Sequence, residues 1–314
     1  MSFGNHTVAL EKVGAAAFSE LIPLLREIAN LKRIRAAQTN GQSFAARLFE
    51  RAWTEISSGG AEIRQVALQT SKNALIAANL GAIDAEVLRA AELDESEIGL
   101  ILNRAFNSVA SPVDADLLAE MNEISAAKSG EKSLAAPHFV ELLSRQPRSG
   151  ATKVGAPKLI FDQPENHAEH SIIVGIYGVL LAPLFGADLE TVFLAALTHH
   201  FHNAYLPDSG FAGEESLGEF LPRIFDVFRR LCLAEVPENI HEKIRNALKV
   251  IETADAPEAK AFHAADVFDR VLQMRHHAEA NEFTLKYALE EAELVHAGAI
   301  QEFHYEVLRA ARLI

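Results

Sequence analysis

The chain has 314 residues, 49% of them hydrophobic and 23% charged, the proportions of an ordinary globular protein and not of a disordered one. A formal net charge of −14 opposes attraction to nucleic-acid backbones and anionic membranes, so neither a nucleic-acid polymer nor a membrane is expected as a partner. One cysteine, Cys232, excludes an internal disulfide; within the apolar run IFDVFRRLCLAEV it reads as a buried thiol in a reducing compartment. The start, MSFGNHTVALEKVG, has no basic region and carries Glu11 where a signal peptide is apolar, which gives a cytoplasmic expectation.

Apolar residues recur at three- and four-residue spacing almost throughout, and alternating β-branched runs are missing, so the expected fold class is all-α. In the first half the pattern predicts helices over 8–37, 42–57, 61–80, 83–91, 95–108, 113–127 and 134–145. Asp94 followed by Glu97 has capping-box spacing, and Ser111-Pro112 places a cap residue before a proline at the first helical position. SGEKS at 129–133 lacks the Gly-Lys-Ser order of a phosphate loop. Residues 144–165 combine three prolines, two glycines and a basic bias. They read as an exposed connection, dividing an N-terminal helical domain over 1–150, of unknown role, from a second over 151–314.

In the second half the pattern predicts helices over 166–185, 189–202, 215–233, 238–253, 258–279 and 283–312. The longest apolar stretch, Ser171 to Ala187, is short for a membrane span and contains Pro183, so it reads as a buried core helix. Gly186 stops that helix and Asp188 caps the next, leaving a short turn between antiparallel neighbours. Asn203 to Leu217, rich in Gly with Pro207 and Asp208, is expected as a loop.

Eleven of the 13 histidines, all but His6 and His138, lie in this half. His167 and His170 sit one turn apart, the next helix delivers His199, His200 and His202 at its end, and His263, Asp266 and Arg270 share a stripe farther on. Imidazoles and a carboxylate converging from apolar helices leave their polar atoms unpaired without a common partner, and this donor set suits a divalent metal. His241, His276, His277, His296 and His304 read as packing or solvated residues.

The stretches ENHAEHSIIVGIYGVLLA, ETVFLAALTHHFHNA and HAADVFDRVLQ resemble the HD-domain superfamily of metal-dependent phosphohydrolases. Its signature is a His, an adjacent His-Asp pair at a helix end, and a distant Asp. Carried over residue by residue, His170 matches the first ligand and His199 the His of the pair, His200 stands where the Asp is expected, and Asp266 matches the last ligand. The resemblance implies an HD-like helical bundle holding one divalent ion (Mn, Fe, Co, Ni, Zn or Mg), since an imidazole at 200 cannot bridge two metals as a carboxylate does. It also implies hydrolysis of a small phosphorylated molecule, a nucleotide first, by a single chain or a homo-oligomer. In that reading His202, Asp208 or Glu214 manages protons, and His167 and Arg270 hold substrate. Two other readings are a non-catalytic scaffold that has altered its metal pair and an iron-dependent oxygenase on the same bundle.

Overall fold

The structure, a computed structural model, describes residues 15–59, 62–124, 135–150, 164–253 and 255–282. Among them no strand forms, and the only β pairing is two isolated bridges, Arg35 with Ser43 and Pro147 with Asn166. The fold is all-α. The first helices are α1 (Ala15–Ala29), α2 (Phe44–Ser58), α3 (Ile63–Leu80), α4 (Ala85–Ala90), α5 (Glu95–Val109), α6 (Ala115–Glu123) and α7 (His138–Arg145). They are followed by α8 (His167–Phe185), α9 (Leu189–Thr198), α10 (Gly210–Leu217), α11 (Leu221–Leu233), α12 (His241–Val250) and α13 (Pro257–Glu282). The helix expected over 283–312 lies outside the described residues.

Local chemistry sets these boundaries. Asp94 accepts from the amides of Ser96 and Glu97 while Glu97 reaches back to the Asp94 amide, so the expected capping box opens α5. The helix expected over 8–37 ends at Ala29 in a 3-10 turn, Asn30–Lys32, which turns Lys32 into the interior at 4% exposure. The segment expected as a loop after Asn203 contains a helix, α10. Ser209 at its cap makes no side-chain bond, but Asp208 just before it accepts the Gly210 amide at 2.8 Å, satisfying one of the unpaired donors of the first turn.

The core is built around α8, every residue of which from His167 to Ala182 is buried. This is the one described helix long and apolar enough to cross a membrane, and it lies within the protein core. Gly186 takes a left-handed conformation at φ 64° to end α8, and Asp188 caps α9 by accepting from the Thr191 amide at 3.0 Å. The two helices then run back along each other in close contact. A Cβ on Gly178 would stand 2.5 Å from Val192 Cγ1, and one on Gly175 would meet the Phe193 ring at 3.1 Å.

Contacts divide the chain into a unit ending at Arg270 and a second beginning at Val271, so α13 crosses from one to the other. They do not divide at residue 150. Helices α1, α2, α3 and α7 all pack against α8. The indole of Trp53 meets the rings of Phe139 at 5.0 Å and Phe201 at 5.5 Å, a cluster assembled from both sides of the proposed connection. The Tyr177 hydroxyl donates to the Leu25 carbonyl, tying α8 to α1. Residues 144–165 looked like a linker because their composition is polar and broken, but the apolar faces of the flanking helices share one core. The second unit is described only as the continuation of α13, where Arg275 pairs with Glu279 at 2.7 Å.

Candidate metal centre

The end of α9 carries His199 and His200, and the start of α8 carries His170 alongside them. The ligand nitrogens of these three rings lie within 4.8 Å of one another. Each ring is oriented by a group that accepts from Nδ1. His199 Nδ1 donates to the Ala196 carbonyl at 2.7 Å, and His170 Nδ1 donates to Asp269 Oδ2 at 2.7 Å. His200 Nδ1 donates to Asn203 Oδ1 at 2.9 Å, and the Asn203 amide is itself fixed by donating to the Leu206 carbonyl at 3.2 Å. A ring whose Nδ1 carries the hydrogen presents a bare lone pair at Nε2, the tautomer that coordinates a metal.

Those lone pairs collide. His199 Nε2 faces His170 Nε2 at 3.3 Å, and Asp266 Oδ1 lies 3.4 Å from the same His170 nitrogen. His170 Nε2 thus faces an acceptor on each of two partners, only one of which, Asp266, has a cation of its own in Arg270, and the arrangement favours positive charge between them: a trapped proton, or an ion that accepts the lone pairs. Imidazole nitrogen with one carboxylate oxygen fits a divalent transition metal or zinc.

The electrostatics agree. Burial, followed by the neighbouring His170, lowers His199 to about 3. Burial with the charges of His199, His167 and Arg148 pushes His200 well below the ordinary imidazole range. Both rings are therefore held neutral, as ligation demands. Burial alone would raise the Asp266 carboxyl, but neighbouring His170, with His199 and Arg270, outweighs it and holds the group low.

The other expected site residues divide into two sets. His167 is fully buried with both ring nitrogens unpartnered, its ring 4.6 Å from that of His200 and its Nε2 3.6 Å from Asp208 Oδ2. Burial and the Arg148 charge lower it to about 2. His202 stacks on Phe225 at 3.8 Å with its Nδ1 buried and unpartnered, and burial with the Arg229 charge lowers it to about 3. Asp208 thus sits beside the cluster, although its oxygens already accept the Ser149 and Gly210 amides at 2.9 and 2.8 Å. Glu214 is half-buried in α10, its carboxyl raised by burial and by Asp208.

Arg270, expected to hold phosphate, points mostly into solvent with its side chain 56% exposed and pairs with Asp266 at 2.8 Å. His263 leaves the shared stripe to donate to the Ile251 carbonyl at 3.0 Å, and His241 donates to the Val236 carbonyl at 2.7 Å; both are structural. Cys232 is buried and donates to the Phe201 carbonyl at 3.2 Å, its thiol pushed up to about 12 by burial.

Sequence reasoning missed Lys32, Arg148, Glu165, Asn203 and Asp269. Asp269 had a signal, standing one turn beyond Asp266 on the same helix, where i and i+3 share a face. Lys32 had none, because 237 residues separate it from the Asp269 carboxylate it grips.

Among curated proteins and among solved structures, nothing matches the chain. A family model described as the HD domain matches residues 140–307, more than half of the chain and a span that contains His170, His199, His200 and Asp266. With its all-α bundle and a histidine cluster that could hold a divalent ion, the chain belongs to the HD domain family.

Proposed function

We propose that this protein is a metal-dependent phosphohydrolase acting on a small phosphorylated molecule. The observation that carries this reading is the convergence of His170 Nε2, His199 Nε2 and Asp266 Oδ1 with only acceptors facing one another. His170, His199, His200 and Asp266 would hold the ion. A divalent ion held there would supply Lewis-acid chemistry, polarising a phosphoryl oxygen and lowering the pKa of a water towards neutrality.

The chain's own groups supply the rest. Arg148 is the cation whose charge depresses His167, His199 and His200 together, and its Nη1 is buried without a hydrogen-bond partner. A guanidinium fork matches phosphoryl oxygens, so Arg148 takes the anchoring role that Arg270, engaged with Asp266, serves less well. His167, with both ring nitrogens unpartnered, and His202, with Nδ1 unpartnered, donate to phosphoryl oxygens or pass protons, and Asp208 beside His167 orients an attacking water. The net charge of −14 favours a small ligand over a polyanion. A nucleotide is the first candidate, since the exposed ring of Phe211 stands three residues beyond Asp208 and offers a face for a base.

The test is a panel of nucleoside mono-, di- and triphosphates, sugar phosphates and cyclic nucleotides, each offered with Mn, Co, Ni, Zn or Mg while phosphate or nucleoside release is followed. Turnover of at least one substrate by the wild type, lost in His199→Ala, is expected. A metal-loaded wild type that turns over nothing in the panel would contradict the reading.

A further inference from the structure

Behind His170 lies a second layer of charge that joins the two ends of the unit. Asp269 is completely buried and has one oxygen on each of two partners: Oδ2 accepts from His170 Nδ1 at 2.7 Å, and Oδ1 accepts from Lys32 Nζ at 2.5 Å. The same ammonium reaches Glu165 Oε1 at 2.7 Å, and Glu165 stands 3.6 Å from His170 Nδ1. Glu165, His170 and Asp269 offer oxygens and a nitrogen in a spacing that itself suits a cation. The Lys32 ammonium, buried at 4% exposure, takes that role.

We infer that Lys32 is a positioning residue for the metal centre: an internal cation that fixes the Asp269 carboxylate against His170 Nδ1, so that His170 presents Nε2 to the ion. The geometry leaves Asp269 little freedom while Lys32 is present, since turning the carboxylate to leave His170 would also break the bond at Oδ1. With Lys32 truncated, buried Asp269 and partly buried Glu165 lose the ammonium that bonds both and keep only the charge of neighbouring Arg33, a state that is relieved by reorientation or by admitting water. His170 then loses the acceptor that sets its tautomer, and ligands whose outer partners are removed typically lose ten- to a hundred-fold in metal affinity.

The inference gives the N-terminal segment a part in the centre. Lys32 stands in the turn after α1, outside the residues the family model matches, and it is carried to the site because Tyr177 of α8 holds the Leu25 carbonyl and α1 packs on α8. It rests on the metal reading of His170, His199, His200 and Asp266.

The full-length wild type, Lys32→Met, Asp269→Asn and the double variant are titrated with Mn²⁺ by equilibrium dialysis. In parallel the His170 Nδ1–H resonance is followed by NMR, and helicity by circular dichroism. Lys32→Met is expected to bind Mn²⁺ about tenfold or more weakly and to lose the wild-type Nδ1–H signal, while adding nothing to the loss already caused by Asp269→Asn. A folded Lys32→Met with unchanged or tighter Mn²⁺ binding and an intact signal overturns the inference. Should Lys32→Met alone fail to fold, Asp269→Asn and the double variant, both without the Asp269 charge, still decide it: an affinity equal in the two and below wild type supports Lys32 acting through Asp269, and a further loss in the double overturns it. A wild type that binds no Mn²⁺ sinks the metal reading and this inference together, whereas wild-type binding with an indifferent Lys32 sinks the inference alone.

Discussion

At the scale of the residue, the centre is a set of imidazoles each told by its neighbour which nitrogen to offer. Asn203 does this for His200, and the consequence is testable. His200→Asp exchanges one nitrogen donor for two oxygens, so the variant should keep the first ion and admit a second, seen as a Mn²⁺ stoichiometry rising from one towards two per chain. A His200→Asp protein that binds less Mn²⁺ than the wild type would show that His200 supplies more than a donor atom. The positions of His170, His199, His200 and Asp266 were legible because the residue types are unusual on apolar helices and their spacings set them at helix ends. The outer partners were not: Ala196 and Asn203 act through a backbone carbonyl and an amide that look ordinary in sequence, and Lys32 meets Asp269 across 237 positions.

At the scale of the element, α8 and α9 are brought together by small residues, and the cost of enlarging them separates packing from propensity. Gly178→Ala would gain up to about 1 kcal/mol of helix propensity but sets a Cβ 2.5 Å from Val192 Cγ1. Overpacking of that kind costs about 1–3 kcal/mol, so the net change should be destabilising. Gly99→Ala on α5, where a Cβ meets nothing within 4 Å, should instead stabilise by about 0.5–1 kcal/mol. Urea unfolding of the two variants checks both signs; equal shifts would mean that α8 and α9 yield at the contact. Most helices were legible from periodicity and caps, as the Asp94–Glu97 box illustrates. Helix α10 was not, because glycine and proline dominate its approach and Ser209 at its cap makes no side-chain bond.

At the scale of the molecule, the described residues up to Arg270 share one core, which composition could not reveal: a polar connection is visible in sequence, but the Trp53–Phe139–Phe201 cluster is not. The buried imidazoles also give the whole molecule an acid limit. His167 and His202 are held neutral down to about 2 and about 3, whereas in the unfolded chain they take up protons near 6.5. The unfolded state therefore binds more protons below pH 6.5, so stability is complete above that value and falls as pH drops towards the folded values. Each ring that stays neutral at pH 5 removes about 2 kcal/mol relative to pH 7, and urea midpoints of metal-free protein should drop accordingly; a flat profile from pH 7 to 5 would mean that these rings are not neutral inside. The central claim is that His170, His199, His200 and Asp266 converge on a metal ion, and the most direct measurement is the Mn²⁺ stoichiometry and affinity of the wild type beside folded Asp266→Asn. One ion per wild-type chain, bound at least tenfold more weakly once the Asp266 charge is removed, is the predicted result; no bound ion, or equal binding by the two proteins, would contradict it.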